Sequence, residues 1–246
     1  MSSPLNKTIT RADVRRPEVA RQAGALRRFA WRLFLGGDRY AVNGVLKRRC
    51  RIRWNKLWEY SRGLAYVPWQ ANWKVVDFGG GATIPVYYLA DQGLDVASFD
   101  IDEHLTGAAR ATAKRHGWKL HASTSDLTEP DARDRVADAP APGSIDWAIS
   151  FCVLEHLPRE RQHRIARLLG ESLRSGGHLT VTFDYSPDAP VEGALRSEAD
   201  VHALIEATGL VPQEGPAFHD TGERFVLDKK YPDNRFTFGS LFLRKP

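Results

Sequence analysis

From Lys74 onward, short apolar segments alternate with helical segments, and this alternation constrains the fold more than any other feature of the chain. Such alternation produces a mainly parallel sheet with helices on both faces. The predicted strands are Lys74–Phe78, Asp95–Phe99, Lys119–Ala122, Ile145–Phe151, His178–Phe183, Leu210–Gly215 and Phe236–Leu243. The predicted helices are Thr83–Gln92, His104–His116, Arg159–Arg174 and Glu198–Thr208. Ligands of these doubly wound α/β sheets bind at the carboxyl ends of the strands, near the point where the strand order reverses.

The segment before Lys74 has helical periodicity and no strand pattern. One helix is predicted to end at Gly36-Gly37-Asp38, and a second runs from about Val42 to Ser61. The first carries an apolar face made of Leu26, Phe29, Ala30, Leu33 and Phe34. We therefore expect a basic helical extension or lid over residues 1–71, followed by the main domain over residues 72–246.

Positive charge is concentrated at the start of the chain. Residues 1–56 carry fifteen Lys or Arg and three Asp or Glu, whereas residues 57–246 have a net charge of −7. This asymmetry indicates either contact with phosphate groups or an anionic membrane surface, or a solvated face without a charge-specific role. Both interpretations stay open.

Composition and cysteine placement indicate the compartment. No apolar run approaches the ~20 residues that a membrane-spanning helix needs, and the first residues lack the apolar stretch of a secretory signal. Cys50 and Cys152 lie far apart, outside any Cys/His motif. The sequence therefore predicts a cytoplasmic protein, with peripheral membrane contact as an open alternative, and neither a disulfide nor a structural zinc site.

A glycine-rich turn follows the first predicted strand, in the string Asp77-Phe78-Gly79-Gly80-Gly81-Ala82-Thr83. Glycines at such a turn let a ligand approach the main chain, and free N–H groups at the next helix favour an anionic group. The dinucleotide fingerprint GxGxxG requires a third glycine where this chain has Ile84. The turn alone is also compatible with a purely structural role.

The Asp-x-Gly-x-Gly string resembles motif I of the class I S-adenosylmethionine-dependent methyltransferases, although Thr83 departs from its fullest form. The resemblance implies a Rossmann-like sheet with an antiparallel last strand, and S-adenosylmethionine as cofactor. It also implies that Asp77, Gly79, Gly80 and Gly81 bind that cofactor.

Acidic residues follow the second and third predicted strands. An acidic residue that closes the second strand can accept hydrogen bonds from ribose hydroxyls. By resemblance, Asp100 and its neighbour Ile101 are assigned to the cofactor, with Asp102 ranked second for the ribose. Asp126 matches the family position that accepts from the adenine amino group, and the main chain of Leu127 is expected to touch the ring.

The string from Ile145 to Pro158, IDWAISFCVLEHLP, resembles the motif IV region of the same family. Phe151 is accordingly expected to face the methionine part of the cofactor. Tyr60, in the N-terminal segment, is predicted to reach the methionine carboxylate, or else only to pack on the domain.

The motif IV region lacks a string that would indicate one class of methyl acceptor, and this narrows the range of possible acceptors. After the fourth strand, Ser150-Phe151-Cys152-Val153 does not contain the Asp/Asn-Pro-Pro-aromatic string typical of amine methylation on nucleobases. We therefore predict O-methylation of a small molecule, a sugar or a lipid-linked precursor, with an anionic acceptor favoured by the basic segment. Two alternatives remain: an RNA methyltransferase, disfavoured by the acidic main domain, and a non-methylating protein of the same fold.

His156, Asp184 and Tyr185 are the candidate catalytic residues. A histidine titrates near neutrality and can take a proton from the acceptor, although Glu155-His156 could also only cap and pack. Asp184 and Tyr185 follow the fifth predicted strand, at the carboxyl edge of the sheet. In ubiquinone-pathway O-methyltransferases a Glu-x-x-Glu-His string is linked to a divalent metal, but here Cys152 takes the first carboxylate position. We therefore predict that no metal is used.

Overall fold

The computed structural model describes residues 4–187, 193–226 and 235–246. Its strands are β1 (Lys7–Thr8), β2 (Tyr40–Val42), β3 (Val45–Lys47), β4 (Lys74–Phe78), β5 (Asp95–Asp100), β6 (Leu120–Thr124), β7 (Ile145–Phe151), β8 (Leu173–Tyr185), β9 (Val211–Pro212), β10 (Phe225–Val226) and β11 (Arg235–Arg244). Its α-helices are α1 (Pro17–Leu35), α2 (Trp54–Ala65), α3 (Ile84–Asp91), α4 (Glu103–His116), α5 (Ala132–Arg135), α6 (Arg159–Ser172) and α7 (Glu198–Thr208).

The central sheet follows the order β1-β11-β8-β7-β4-β5-β6 in the described part of the chain. Strands β4 to β8 are parallel to their neighbours, and β11 runs antiparallel to β8. The chain runs outward from β4 to β6 and resumes on the other side at β7, so the strand order reverses between β4 and β7. The predicted doubly wound sheet with an antiparallel last strand is confirmed, and its switch point lies where the glycine turn leaves β4.

Most predicted element bounds in the main domain hold within a few residues. Three elements coincide with their predicted ranges, namely β4, β7 and α7. Strand β8 begins at Leu173, so the helix predicted to reach Arg174 ends at Ser172. The predicted strand Leu210–Gly215 is wrong in length, because only Val211–Pro212 pairs with β11. Proline has no N–H to donate to a ladder, which favours such a short edge strand.

The prediction that residues before Lys74 form no strand is wrong. β1 pairs with the outer edge of β11, and β2 and β3 form a hairpin where a helix from Val42 was expected. The turn of this hairpin is Asn43-Gly44, and both residues have positive φ, at 50° and 69°. Asn-Gly is the residue pair that a type I′ hairpin turn prefers, so the sequence contained the signal. Helix α2 begins only at Trp54.

Helix α1 packs on the main domain through the apolar face predicted for it. Leu26, Phe29, Ala30 and Leu33 are buried there, and the Phe29 ring lies 5.5 Å from that of Tyr88 on α3. The helix ends at Leu35, as the glycines after it predicted. Asp38, just beyond, accepts from Arg115 at 2.7 Å, which joins this end of the segment to α4. None of the helices in the described ranges is long and apolar enough to cross a membrane.

Candidate active site

The glycine turn after β4 is held by a buried carboxylate. Asp77 Oδ2 accepts hydrogen bonds from Gly80 N at 3.1 Å and from Ser98 Oγ at 2.6 Å. Burial raises the pKa of Asp77 to about 7. A Cβ on Gly80 would overlap the Asp77 carboxylate, and Gly79 has a φ of +79° that favours glycine. The Asp77 carboxylate therefore holds the turn in place from its buried side.

The end of β5 faces this turn. A Cβ on Gly81 would lie 3.0 Å from Asp100 Oδ2, so the turn and the carboxylate approach as closely as glycine permits. Asp100 Oδ1 accepts from Asp102 N at 3.0 Å, which orients the side chain, and burial raises the pKa of Asp100. Ile101 follows with 74% of its surface exposed. An acidic group and an exposed apolar side chain thus stand together at the strand end.

One cavity of about 700 Å³ connects the glycine turn with the ends of β7 and β8. It is lined by the following residues of the predicted site: Tyr60, Gly79, Gly80, Asp100, Ile101, Phe151, His156 and Asp184. Ligand pockets commonly have volumes of ~300–1,000 Å³, so this one can hold a nucleoside-sized molecule. The predicted site residues Asp77, Gly81, Asp126, Leu127 and Tyr185 are not among its described lining residues.

Asp126 and Leu127 are outside the described lining of the cavity and make other contacts. Asp126 Oδ1 accepts from Thr128 N and Thr128 Oγ1, and its Oδ2 accepts from Arg161 at 3.1 Å. Leu127 is fully buried in the apolar core. The sequence did not indicate that Arg161, on α6, would meet this carboxylate.

Tyr185 is separated from Asp184 because neighbouring residues of a strand point to opposite faces. Asp184 lines the cavity, whereas Tyr185 is 2% exposed and packs its ring 5.8 Å from that of Phe218. Burial raises the pKa of Tyr185 to about 12. Of these two candidate catalytic residues, the structure therefore places Asp184 at the cavity and Tyr185 in the apolar core.

Helix α2 forms one wall of the cavity. Tyr60 and Phe151 line it together, with ring centroids 5.9 Å apart. A Cβ on Gly63, one turn along α2, would lie 2.5 Å from Phe151 Cε1, so glycine lets the helix approach β7. Burial raises the pKa of the Tyr60 hydroxyl above its ordinary value. Residues of the N-terminal segment are thus part of the site.

Cys152, His156 and Asp184 gather at the carboxyl ends of β7 and β8. Cys152 adopts a left-handed backbone with a φ of +53°, and its Sγ lies 3.7 Å from Asp184 Oδ1. His156 ends the short turn after β7 and is exposed to the cavity. Behind them, Glu155 Oε1 accepts from Asp184 N at 3.0 Å. Burial, and then the charge of Asp184, raise the pKa of Glu155 to about 8.

The thiol of Cys152 and the carboxylates of Glu155 and Asp184 could together meet a metal ion. One donor atom from each lies within 4.8 Å of the other two. However, burial raises the pKa of both Cys152 and Glu155, so at neutral pH these two groups hold protons. A cation would have to displace both protons before it could bind.

Sequence reasoning missed a buried ion pair on α2. Lys56 Nζ lies 2.9 Å from Glu59 Oε2, and Glu59 Oε1 accepts from Thr182 Oγ1 at 3.0 Å. Burial alone would lower the pKa of Lys56, but the Glu59 carboxylate raises it above its ordinary value. The sequence did contain a signal for this pair: Glu59 lies between Trp58 and Tyr60, in a stretch that is otherwise apolar, so its carboxylate needs a partner when the helix is buried.

Comparison with known proteins agrees with this geometry. A family model described as a methyltransferase domain matches residues 25–220. The ribosomal RNA small subunit methyltransferase B of Thermus thermophilus is 39% identical over 110 residues. That match covers 44% of this chain and 28% of the length of the relative.

Solved structures share the fold. The cyclase SpnF superposes with a TM-score of 0.60 at 14% identity, covering 92% of this chain and 94% of that one. A geranyl diphosphate methyltransferase in complex with S-adenosylmethionine superposes with a TM-score of 0.55 at 12% identity, covering 73% and 80%. The glycine turn and Asp100 line one cavity whose volume of about 700 Å³ has room for a cofactor of that kind. This chain therefore belongs to the methyltransferase domain family, and its cofactor is S-adenosylmethionine.

Proposed function

We propose that this chain transfers the methyl group to a hydroxyl oxygen of a small molecule, a sugar or a lipid-linked precursor. The observation that carries the proposal is the single cavity in which the glycine turn and Asp100 at one end meet His156 and Asp184 at the other. Its volume of about 700 Å³ leaves room for a cofactor and a small acceptor together.

The cofactor would be held by the residues between β4 and β5. Asp100 would accept hydrogen bonds from the ribose hydroxyls, and Ile101 would cover the adenine ring. The N–H groups at the glycine turn would receive an anionic group. Asp126 could accept from the adenine amino group after exchanging its bond to Arg161, and Leu127 would contribute its main chain.

When bound, the cofactor supplies a methyl group on a positively charged sulfur. Phe151 and Tyr60 would exclude water from the acceptor and limit its orientations, which favours in-line transfer. His156 or Asp184 would accept the hydroxyl proton as the oxygen gains the methyl group. The position of Cys152, where the metal-linked string of the ubiquinone-pathway enzymes has a carboxylate, supports a reaction that uses no metal.

Radiolabelled S-adenosylmethionine, supplied with panels of sugars, phenols and lipid-linked precursors, tests the reaction. We expect a methyl ether in the product, identified by NMR, together with the demethylated cofactor. His156→Ala and Asp184→Asn should each be compared with wild type, and the variant of the true base should lower kcat by ~100-fold or more. The exposed residues His104 and Asp134 offer matched controls, His104→Ala and Asp134→Asn. A methyl group found on nitrogen or carbon would exclude O-methylation, and unchanged kcat in both site variants would exclude either residue as the base.

Two other functions are favoured by specific observations. The match to a ribosomal RNA methyltransferase and the basic N-terminal segment favour an RNA acceptor. The likeness to the cyclase SpnF favours a protein of this fold whose reaction is not methyl transfer. Methyl incorporation into RNA supports the first, whereas acceptor turnover without release of the demethylated cofactor supports the second.

Residues 1–71 would act as a lid that closes the acceptor end of the cavity. Tyr60 and Lys56 support this role, because both line the cavity from α2. Tyr60→Phe separates the two interpretations of this residue. Weaker binding of the demethylated cofactor would mean that the hydroxyl reaches the methionine carboxylate, whereas unchanged binding would mean that Tyr60 only packs.

A further inference from the structure

A narrow crevice opens beside the cavity, between the β2–β3 hairpin and α2. We call it the arginine crevice, after Arg49, Arg51 and Arg53, which line it with Lys56. Ala41, Asn43, Lys56 and Tyr60 line both the crevice and the cavity. The two openings are therefore continuous, and a ligand in one can extend into the other.

The three arginines of the crevice have no carboxylate partner in the described ranges, whereas Lys56 is paired with Glu59. The twenty residues 39–58 contain seven Lys or Arg and no Asp or Glu. Arg49, Arg51 and Arg53 are exposed, and none of them forms an ion pair with a carboxylate in the described ranges. Elsewhere arginines commonly have such partners, as Arg174 does in Asp146 and Arg133 does in Glu171. Three unneutralised guanidinium groups thus collect at the mouth of the active-site cavity.

The shape of the arginine crevice limits what these groups can bind. Its volume of about 20 Å³ holds about one water molecule and excludes a separate ligand. An anionic group would therefore lie at the mouth, against the exposed guanidinium groups, while the rest of the same molecule occupies the cavity. Guanidinium groups match the oxygens of phosphate in paired hydrogen bonds, which makes phosphate the anion they bind best.

We propose that the methyl acceptor is a small molecule that carries a phosphate or diphosphate group, bound by Arg49, Arg51 and Arg53. This inference rests on the proposed methyl transfer in the adjoining cavity. One phosphate or diphosphate group fits better than a long polyanion, because the adjoining cavity is also lined by Asp100 and Asp102. The net charge of −7 over residues 57–246 would also repel an extended nucleic acid strand.

The test uses the full chain saturated with the demethylated cofactor and inorganic pyrophosphate as the probe. Titration calorimetry measures the Kd for pyrophosphate in wild type and in the triple variant Arg49→Gln/Arg51→Gln/Arg53→Gln. We expect the triple variant to weaken binding by ~10-fold or more, since charge-assisted hydrogen bonds are lost. The matched control is Arg21→Gln/Arg27→Gln/Arg28→Gln, which removes three exposed charges from α1 and should change Kd by less than about twofold.

Other outcomes overturn the proposal in distinguishable ways. If the demethylated cofactor binds but pyrophosphate does not, or if both triple variants weaken pyrophosphate equally, the phosphate role of the crevice is wrong. If the cofactor product itself does not bind, the proposed function fails first.

Two further titrations use a twenty-nucleotide single-stranded RNA and phosphatidylcholine–phosphatidylserine vesicles at physiological salt. The proposal of a small acceptor is overturned if wild type binds the RNA or the vesicles more tightly than pyrophosphate and the crevice variant loses that binding. The arginines would then be assigned to a polynucleotide or a membrane.

Discussion

Replacing Glu155 by glutamine should stabilise the protein at alkaline pH. Glu155 is 3% exposed, and burial raises the pKa of its carboxyl from 4.5 to about 8. The folded state therefore holds this proton more tightly than the unfolded chain, so wild-type stability falls as the pH rises from about 4.5 to about 8. Glutamine keeps an oxygen that can accept from Asp184 N and carries no titrating proton.

The size of the effect follows from the span of that titration. At about 1.4 kcal/mol per pH unit, the carboxylate destabilises the folded state at pH 9 by at most about 5 kcal/mol. Water entry and local relaxation reduce the penalty, so we expect Glu155→Gln to gain about 2–5 kcal/mol over wild type at pH 9. At pH 4.5 the gain should be close to zero, because wild-type Glu155 is then protonated in the folded state.

Urea unfolding followed by tryptophan fluorescence at pH 5, 7 and 9 measures this difference. Asp77 titrates in both proteins with a pKa of about 7, so its contribution cancels when the two are compared. Glu206→Gln, on the exposed side of α7, makes the same chemical change and should leave stability unchanged within about 0.5 kcal/mol. A gain for Glu155→Gln that does not grow with pH would refute the burial of an ionisable carboxyl at this position.

The remaining predictions concern the cofactor end and the metal. Asp100→Ala should weaken binding of the demethylated cofactor by about 1–3 kcal/mol, since polar partners of the ribose are lost; unchanged calorimetric affinity would remove Asp100 from that role. Gly80→Ala should lower both the melting temperature and the cofactor affinity, because its Cβ overlaps the Asp77 carboxylate; a variant with wild-type values for both would show that the turn can widen. Once an acceptor is known, turnover should survive prolonged dialysis against EDTA, whereas loss of activity with rescue by magnesium or zinc would assign a metal to Cys152, Glu155 and Asp184.

Local sequence patterns carried the prediction of the sheet. Strands such as Ile145–Phe151 are mainly apolar, and their predicted bounds coincide with the structure because such a segment is buried on both faces of the sheet. The glycine turn could also be read locally, since its backbone angles exclude most side chains. Where a local signal was overlooked, as at Asn43-Gly44, a predicted helix proved to be a hairpin.

Contacts between distant parts of the chain decided which side chains meet at the ends of β7 and β8. The glycine turn at Gly79 and Gly80 follows from the sequence alone, because the end of β4 and the turn after it are adjacent in the chain. The partners of Asp184 do not, since Cys152, Glu155 and Lys56 come from other elements and meet only when β7, β8 and α2 pack together. Likewise, Asp184 and Tyr185 point to opposite faces of β8, and only the packing of the sheet decides which of these faces is turned to the cavity. Local sequence chemistry thus determined the fold class and the glycine turn. Tertiary packing determined which charged groups meet at the cavity, because electrostatic interactions depend on distance in space.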